Sequence, residues 1–113
     1  MASGDELLKE TYILVPDATG VIVVQGASGH TMTLISLSLC NIHASNDETF
    51  DLLRTDLDGS TAPFYIYKTQ SLPALSTFIH SDKIVQGATT ELWVKAGGTA
   101  TIDAHASYLD QEL

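Results

Sequence analysis

Positive charge is scarce in this chain of 113 residues: five Lys and Arg stand against 14 Asp and Glu, a formal net charge of −9. A nucleic-acid ligand needs clustered basic side chains to neutralise its phosphates. Lys9, Arg54, Lys68, Lys83 and Lys95 are instead scattered, which argues against nucleic acid and against an anionic membrane surface as partners. Cysteine is equally scarce. Cys40 is single, so no internal disulfide framework of the secreted kind can form. No stretch approaches the ~20 apolar residues of a membrane span. The start, Met-Ala-Ser-Gly-Asp-Glu, lacks the basic and apolar regions of a signal peptide, so folding in a reducing cytoplasm is expected. No phosphate loop or dinucleotide fingerprint occurs; Gly-Ala-Ser-Gly-His at 26–30 has too few glycines and no helix after it.

Charged residues make up 17% and apolar ones 44% of the chain, the balance of a folded domain rather than a disordered one. The length suits one domain with a thin core, burying somewhat over ~60% of the surface of the unfolded chain. The expected division is a short N-terminal arm, 1–10, anchored by Leu7 and Leu8, followed by a β-sandwich domain over 11–113.

Strand signals dominate. Thr11–Pro16 and Val21–Gln25 are β-branched runs bounded by turn residues, and the second is apolar enough to be buried on both faces. In Thr31–His43, Ile35, Leu37 and Leu39 alternate with Ser36 and Ser38, the pattern of a strand with one buried face. Met32 and Leu34 have the opposite parity, as do Cys40 and Ile42, which calls for two bulges or for partial cover of the second face. Glu48–Thr55 and Ala62–Thr69 follow as strands. Pro73 keeps Gln70–Asp82 out of a central position, leaving a loop and a short strand near Ser76–Ile79, then Lys83–Gln86. Glu91–Leu109, Glu-Leu-Trp-Val-Lys-Ala-Gly-Gly-Thr-Ala-Thr-Ile-Asp-Ala-His-Ala-Ser-Tyr-Leu, alternates around Gly97-Gly98 and reads as a closing hairpin. Eight or nine short strands spaced near ten residues apart predict an all-β fold, a single antiparallel, jelly-roll-like sandwich.

Chemistry-bearing residues are few. Asp103, His105 and Ser107 share one side of a strand, but a serine hydrolase also needs an oxyanion hole and a pocket, and no nucleophile elbow is present. They read as the polar face of a strand. His30, His43, His80 and His105 fall at no metal-ligand spacing, and Cys40 with His43 is short of the three protein ligands a zinc site needs. Asp56, Asp58, Gly59 and Ser60 resemble a calcium loop only faintly, with the glycine misplaced and no closing Glu; Asp-Gly reads as a turn. No catalytic residue, metal or cofactor is therefore expected. Trp93 shares its parity with Glu91 and Lys95, so it faces outward. With Tyr65, Tyr67 and Tyr108 it forms either an interface anchor set or a sugar-stacking platform.

As a whole, the second half resembles small structural proteins of tailed bacteriophages. The resemblance rests on Leu72–Phe78 (Leu-Pro-Ala-Leu-Ser-Thr-Phe), Lys83-Ile84-Val85, Leu92–Ala96, Ile102-Asp103 and Ser107–Asp110, and extends over roughly residues 30–110. The turn from Gln86 to Glu91 departs from the pattern, lacking its acidic Gly-Asp step. The resemblance implies a virion component that assembles in the host cytoplasm. A non-enzymatic capsid decoration (cement) subunit is expected, a homo-oligomer bound to the major capsid protein or another virion protein. A neck, tail or fibre-attachment component is the second expectation, and a carbohydrate-binding module the third. The residues expected at the interface are Leu7, Leu8, Tyr65, Tyr67, Trp93 and Tyr108.

Overall fold

The computed structural model describes residues 6–56, 63–98 and 101–112. Nine strands follow one another: β1 (Glu6–Val15), β2 (Val21–Gln25), β3 (His30–Asn41), β4 (Glu48–Asp56), β5 (Phe64–Leu72), β6 (Thr77–His80), β7 (Ile84–Gln86), β8 (Thr90–Ala96) and β9 (Ile102–Glu112). They form two sheets, all of whose pairings are antiparallel. One runs β1-β9-β3-β6, with β7 also on β3; the other runs β2-β8-β4-β5. Because β6 pairs with Leu37–Cys40 and β7 with Met32–Leu34, these two pieces form one interrupted outer row, broken at 81–83. The result is two packed four-row sheets. The chain passes from one to the other at β1–β2, β2–β3, β3–β4, β5–β6, β7–β8 and β8–β9, which is the winding of a jelly roll. The expected fold class is the observed one.

The core lies between the sheets. Leu34, Leu37, Leu39, Ile102, Ala104 and Ala106 project from the first sheet toward Val23, Phe50, Leu52, Leu92 and Val94 of the second. On β3 the parity switch comes from a single bulge between Leu34 and Ser36 against β9. Ile35 is the extra residue, half-buried while Leu34 and Leu37 are fully buried. Ile35 therefore does not share the inward face of Leu37 and Leu39, contrary to the simple alternation. β2 is likewise bulged, between Ile22 and Val24, and only Val23 and Val24 are fully buried in it. At the end of β3, buried Asn41 donates its amide to the carbonyls of Asn46 (2.9 Å) and Leu72 (3.0 Å) and accepts the His43 N–H (3.0 Å). A polar group this deep is stable only when satisfied in this way.

Two expectations are corrected. β8 and β9 are not a hairpin: β8 pairs with β2 and β4, β9 with β1 and β3. The glycines allow a crossing between sheets instead. Gly97 donates its N–H to the Thr49 carbonyl (2.9 Å), and a Cβ on it would run into the Thr49 side chain. Nor are residues 6–10 a loose arm. They continue β1 in register with β9, from Glu6 opposite Gln111 to Val15 opposite Ile102; residues 1–5 lie outside the described chain.

The bulge makes a local prediction. Leu34→Ala should cost about 2–5 kcal/mol of unfolding free energy, as for a filled core site, and its neighbour Ile35→Ala about 1 kcal/mol or less. Denaturant titration of both variants checks this; the reverse order would place the inward face wrongly.

Candidate interaction surface

β1 is a good strand by composition: it has no Gly or internal Pro, carries Thr11, Tyr12, Ile13 and Val15, and stops before Pro16. Its position is unusual. Among the described residues it is an edge strand bonded only to β9, and along its length only Val15 is buried. Leu8 is 78% and Tyr12 75% exposed, and Leu7, Ile13 and Leu14 are exposed as well.

The outward side of this sheet is built row by row. Leu8, Glu10, Tyr12 and Leu14 lie opposite Leu109, Ser107, His105 and Asp103 of β9, which in turn lie opposite Thr33, Ser36, Ser38 and Cys40 of β3. An open groove of about 390 Å³ runs between Tyr12, Leu14, Cys40, Asp103 and His105. The His105 and Tyr12 rings meet in a T-shaped arrangement, with centroids 6.3 Å apart, and His105 Nε2 lies 3.4 Å from Glu10 Oε2. Its neighbours are thus on β1. Asp103, His105 and Ser107 do share a face, but among the described residues His105 bonds to neither of the other two, so the relay a serine hydrolase needs is not assembled.

On the core-facing side of the same strands an ionic clamp holds β1 down. Asp110 is 4% exposed. Its carboxylate accepts from Lys9 Nζ at 2.6 Å through one oxygen and meets His30 Nδ1 at 2.6 Å through the other. The Lys9 hydrogen bond holds the Asp110 carboxyl below the ordinary 3.8 against the opposing effect of burial, with His30 adding to it. The same bond raises Lys9 above 10.5.

The residues expected at an interface divide into two groups. Leu7, Leu8 and Tyr65 are exposed, Tyr65 with the Lys68 ammonium 4.2 Å from its ring centroid. Tyr67, Trp93 and Tyr108 are half-buried in local packing. The Tyr67 hydroxyl bonds His80 Nδ1 at 2.9 Å, and its ring packs against Phe50 and Phe78. Tyr108 lies against the core. Trp93 does face outward, beside its cross-strand partner Leu53, and its indole N–H donates to the buried Glu91 at 3.1 Å. Sequence reading missed Tyr12, Leu14, Phe64 and Ile79, all exposed. An apolar run such as Tyr-Ile-Leu-Val reads as interior because the sequence does not show that its strand lies at an edge.

The remaining candidates have structural settings. His43 Nδ1 accepts the N–H groups of Ser45 and Asn46 at 3.2 and 3.0 Å and shapes a turn. Among the described residues no three His, Cys, Asp or Glu side chains gather to hold a metal. Asp58, Gly59 and Ser60 lie outside the described residues.

No family model and no curated protein matches the chain. Solved structures do share its fold. A protein from Bacillus endospore appendages, described as disulfide-linked pili, superposes with a TM-score of 0.55 at 10% identity, over 99% of this chain and 92% of its own. A protein of the T13 IBDV viral particle gives 0.57 at 9% identity over 99% of this chain. The Clostridium thermocellum xylanase 10B structure, with its CBM22-1 and GH10 modules, gives 0.51 at 13% over 98%. The chain spans only 32% and 28% of those last two proteins. At such identities the likeness is one of fold.

The clamp predicts a pH signature. A carboxyl whose folded value is depressed stabilises the fold above its unfolded value and loses that contribution as pH falls through the folded one. Asp110→Asn should therefore be less stable at pH 7, by on the order of 1–3 kcal/mol. It should also lose less stability than the parent between roughly pH 5 and 2. Parallel melting curves across that range would mean the clamp adds nothing.

Proposed function

We propose that the chain is a non-enzymatic structural subunit of a virion, a decoration (cement) protein on the outside of a tailed-phage head. The observation that carries the proposal is the exposed apolar edge: ten residues of β1 with Leu8, Tyr12 and Leu14 uncovered. A long hydrophobic edge strand is a liability in a free protein and an asset in one that works by packing against neighbours. The likeness to a pilus protein and to a viral-particle protein supports an assembly role, and the phage resemblance of residues 30–110 supports the virion. The charge of −9 suits the outer surface rather than one facing packaged DNA, where it would be repelled. A subunit that binds the assembled major capsid protein better than the free one stabilises the shell by mass action. No chemical step is involved. The carbohydrate-binding alternative has less support, because half-buried Trp93 is engaged with Glu91 and offers no open platform.

Quantitative mass spectrometry of purified particles measures the copy number against the major capsid protein. Hundreds of copies are expected for a shell component, set by icosahedral symmetry, whereas about six to twelve would place the chain in a neck or tail ring. Absence from particles would overturn the virion reading. Tyr12→Ser should fold normally and bind particles at least tenfold more weakly, the loss typical of an aromatic anchor.

A further inference from the structure

The two sheets have four edges among the described residues, and three are unsuited to pairing with another strand. β2 has five residues and a bulge. The row of β6 and β7 is broken into pieces of four and three residues. β5 is longer, but its ladder with β4 slips twice, and Thr69 sits at φ 53°, a costly conformation for a β-branched residue. Asp51 stabilises it there by accepting the Thr69 N–H at 2.7 Å. Short length, bulges and twist are the devices that keep sheet edges from pairing. β1 is neither short nor bulged: its ten residues run without a register shift, and its charges are confined to Glu6, Lys9 and Glu10, with Lys9 bound to Asp110.

We propose that β1 pairs antiparallel with β1 of a second copy of this chain, about a twofold axis at Thr11. In a continuous sheet, paired residues must share a face, so the axis passes through a residue and not between two. Centred on Thr11, the ladder uses every residue from Leu7 to Val15. On the outward side, Leu14 meets the partner's Leu8, and Tyr12 meets the partner's Glu10. On the other side, Val15 meets the partner's Leu7, and Ile13 meets the partner's Lys9. Thr11 meets its own copy. No like charges face each other. An axis at Glu10 or Lys9 would oppose two carboxylates or two ammonium groups, which is destabilising in a cross-strand pair; an axis at Tyr12 or Ile13 shortens the ladder. The contact is isologous, as a twofold dimer requires. Lys9 keeps its bond to Asp110, since both lie on the core-facing side. The dimer joins two four-row sheets into one of eight rows with a continuous outward face.

The inference concerns the chain by itself and does not depend on the virion reading, so either can fail alone. Sedimentation of the purified protein should show a concentration-dependent dimer, with Leu8→Lys raising its dissociation constant at least tenfold. Opposed residues in an antiparallel ladder lie ~4.5–5.5 Å apart at Cα, within disulfide reach. On air oxidation, the double variant Cys40→Ser/Thr11→Cys should therefore give a covalent dimer, and Cys40→Ser/Ser71→Cys, on the β5 edge, should not. A protein monomeric at every concentration would overturn the proposal. So would a dimer that Thr11→Cys fails to trap.

Discussion

A strand at the edge of an open sheet presents a row of N–H and C=O groups without partners, and a sandwich of two open sheets has four such rows. In this chain the demand is met unevenly. Three edges are shortened, bulged or broken, and the fourth is left long and unbulged, with Leu7, Leu8, Tyr12, Ile13 and Leu14 exposed along it. Much of the surface chemistry follows from that asymmetry. Leu8, Tyr12 and Leu14 are uncovered because they lie on the outward face of an edge strand that, among the described residues, has no neighbour beyond it. His105 lies beside Tyr12 and Glu10 because β1 flanks β9 on that side, with β3 on the other. Lys9 anchors to Asp110 because a strand held by a single ladder gains from a second attachment.

The jelly-roll winding explains why β1 holds this place. β9 and β3 form the centre of the first sheet, and β3 alone serves β9, β6 and β7. The N-terminal strand has only the outer side of β9 left to it. From residue 10 toward the N-terminus even its core-facing residues, Leu7 and Lys9, are exposed. The Asp110 clamp fastens this stretch through Lys9. It holds a charged group at the inward parity of Ile102, Ala104 and Ala106, in the same row as the buried Met32.

Strand positions were legible because β-branched runs and turn residues mark them locally, and the short, Pro-preceded strand at Thr77–His80 is one example. Pairing was not. Gly97-Gly98 between two alternating segments is equally compatible with a hairpin and with a crossing between sheets, and only the Thr49 contact decides between them. The break in alternation on β3 showed that a bulge existed, but its placement at Ile35 depends on the register with β9. Of the expected interface residues, Leu7 and Leu8 are exposed but belong to a strand rather than an arm. Tyr67 was out of reach because its partner, His80, lies on the other sheet. Tyr12 was hidden by composition: an apolar residue in a strand looks the same whether the strand is central or at an edge.

The central claim is that β1 is an open strand awaiting a partner, and amide hydrogen exchange tests it most directly. In the isolated subunit at low concentration, peptides covering Glu6–Val15 should exchange far faster than those covering β3, since only one of their two flanks is bonded. In the assembled state they should become protected, while β5, with its strained edge, stays unchanged. Equal exchange of β1 in both states, or protection that appears on β5 instead, would contradict the account.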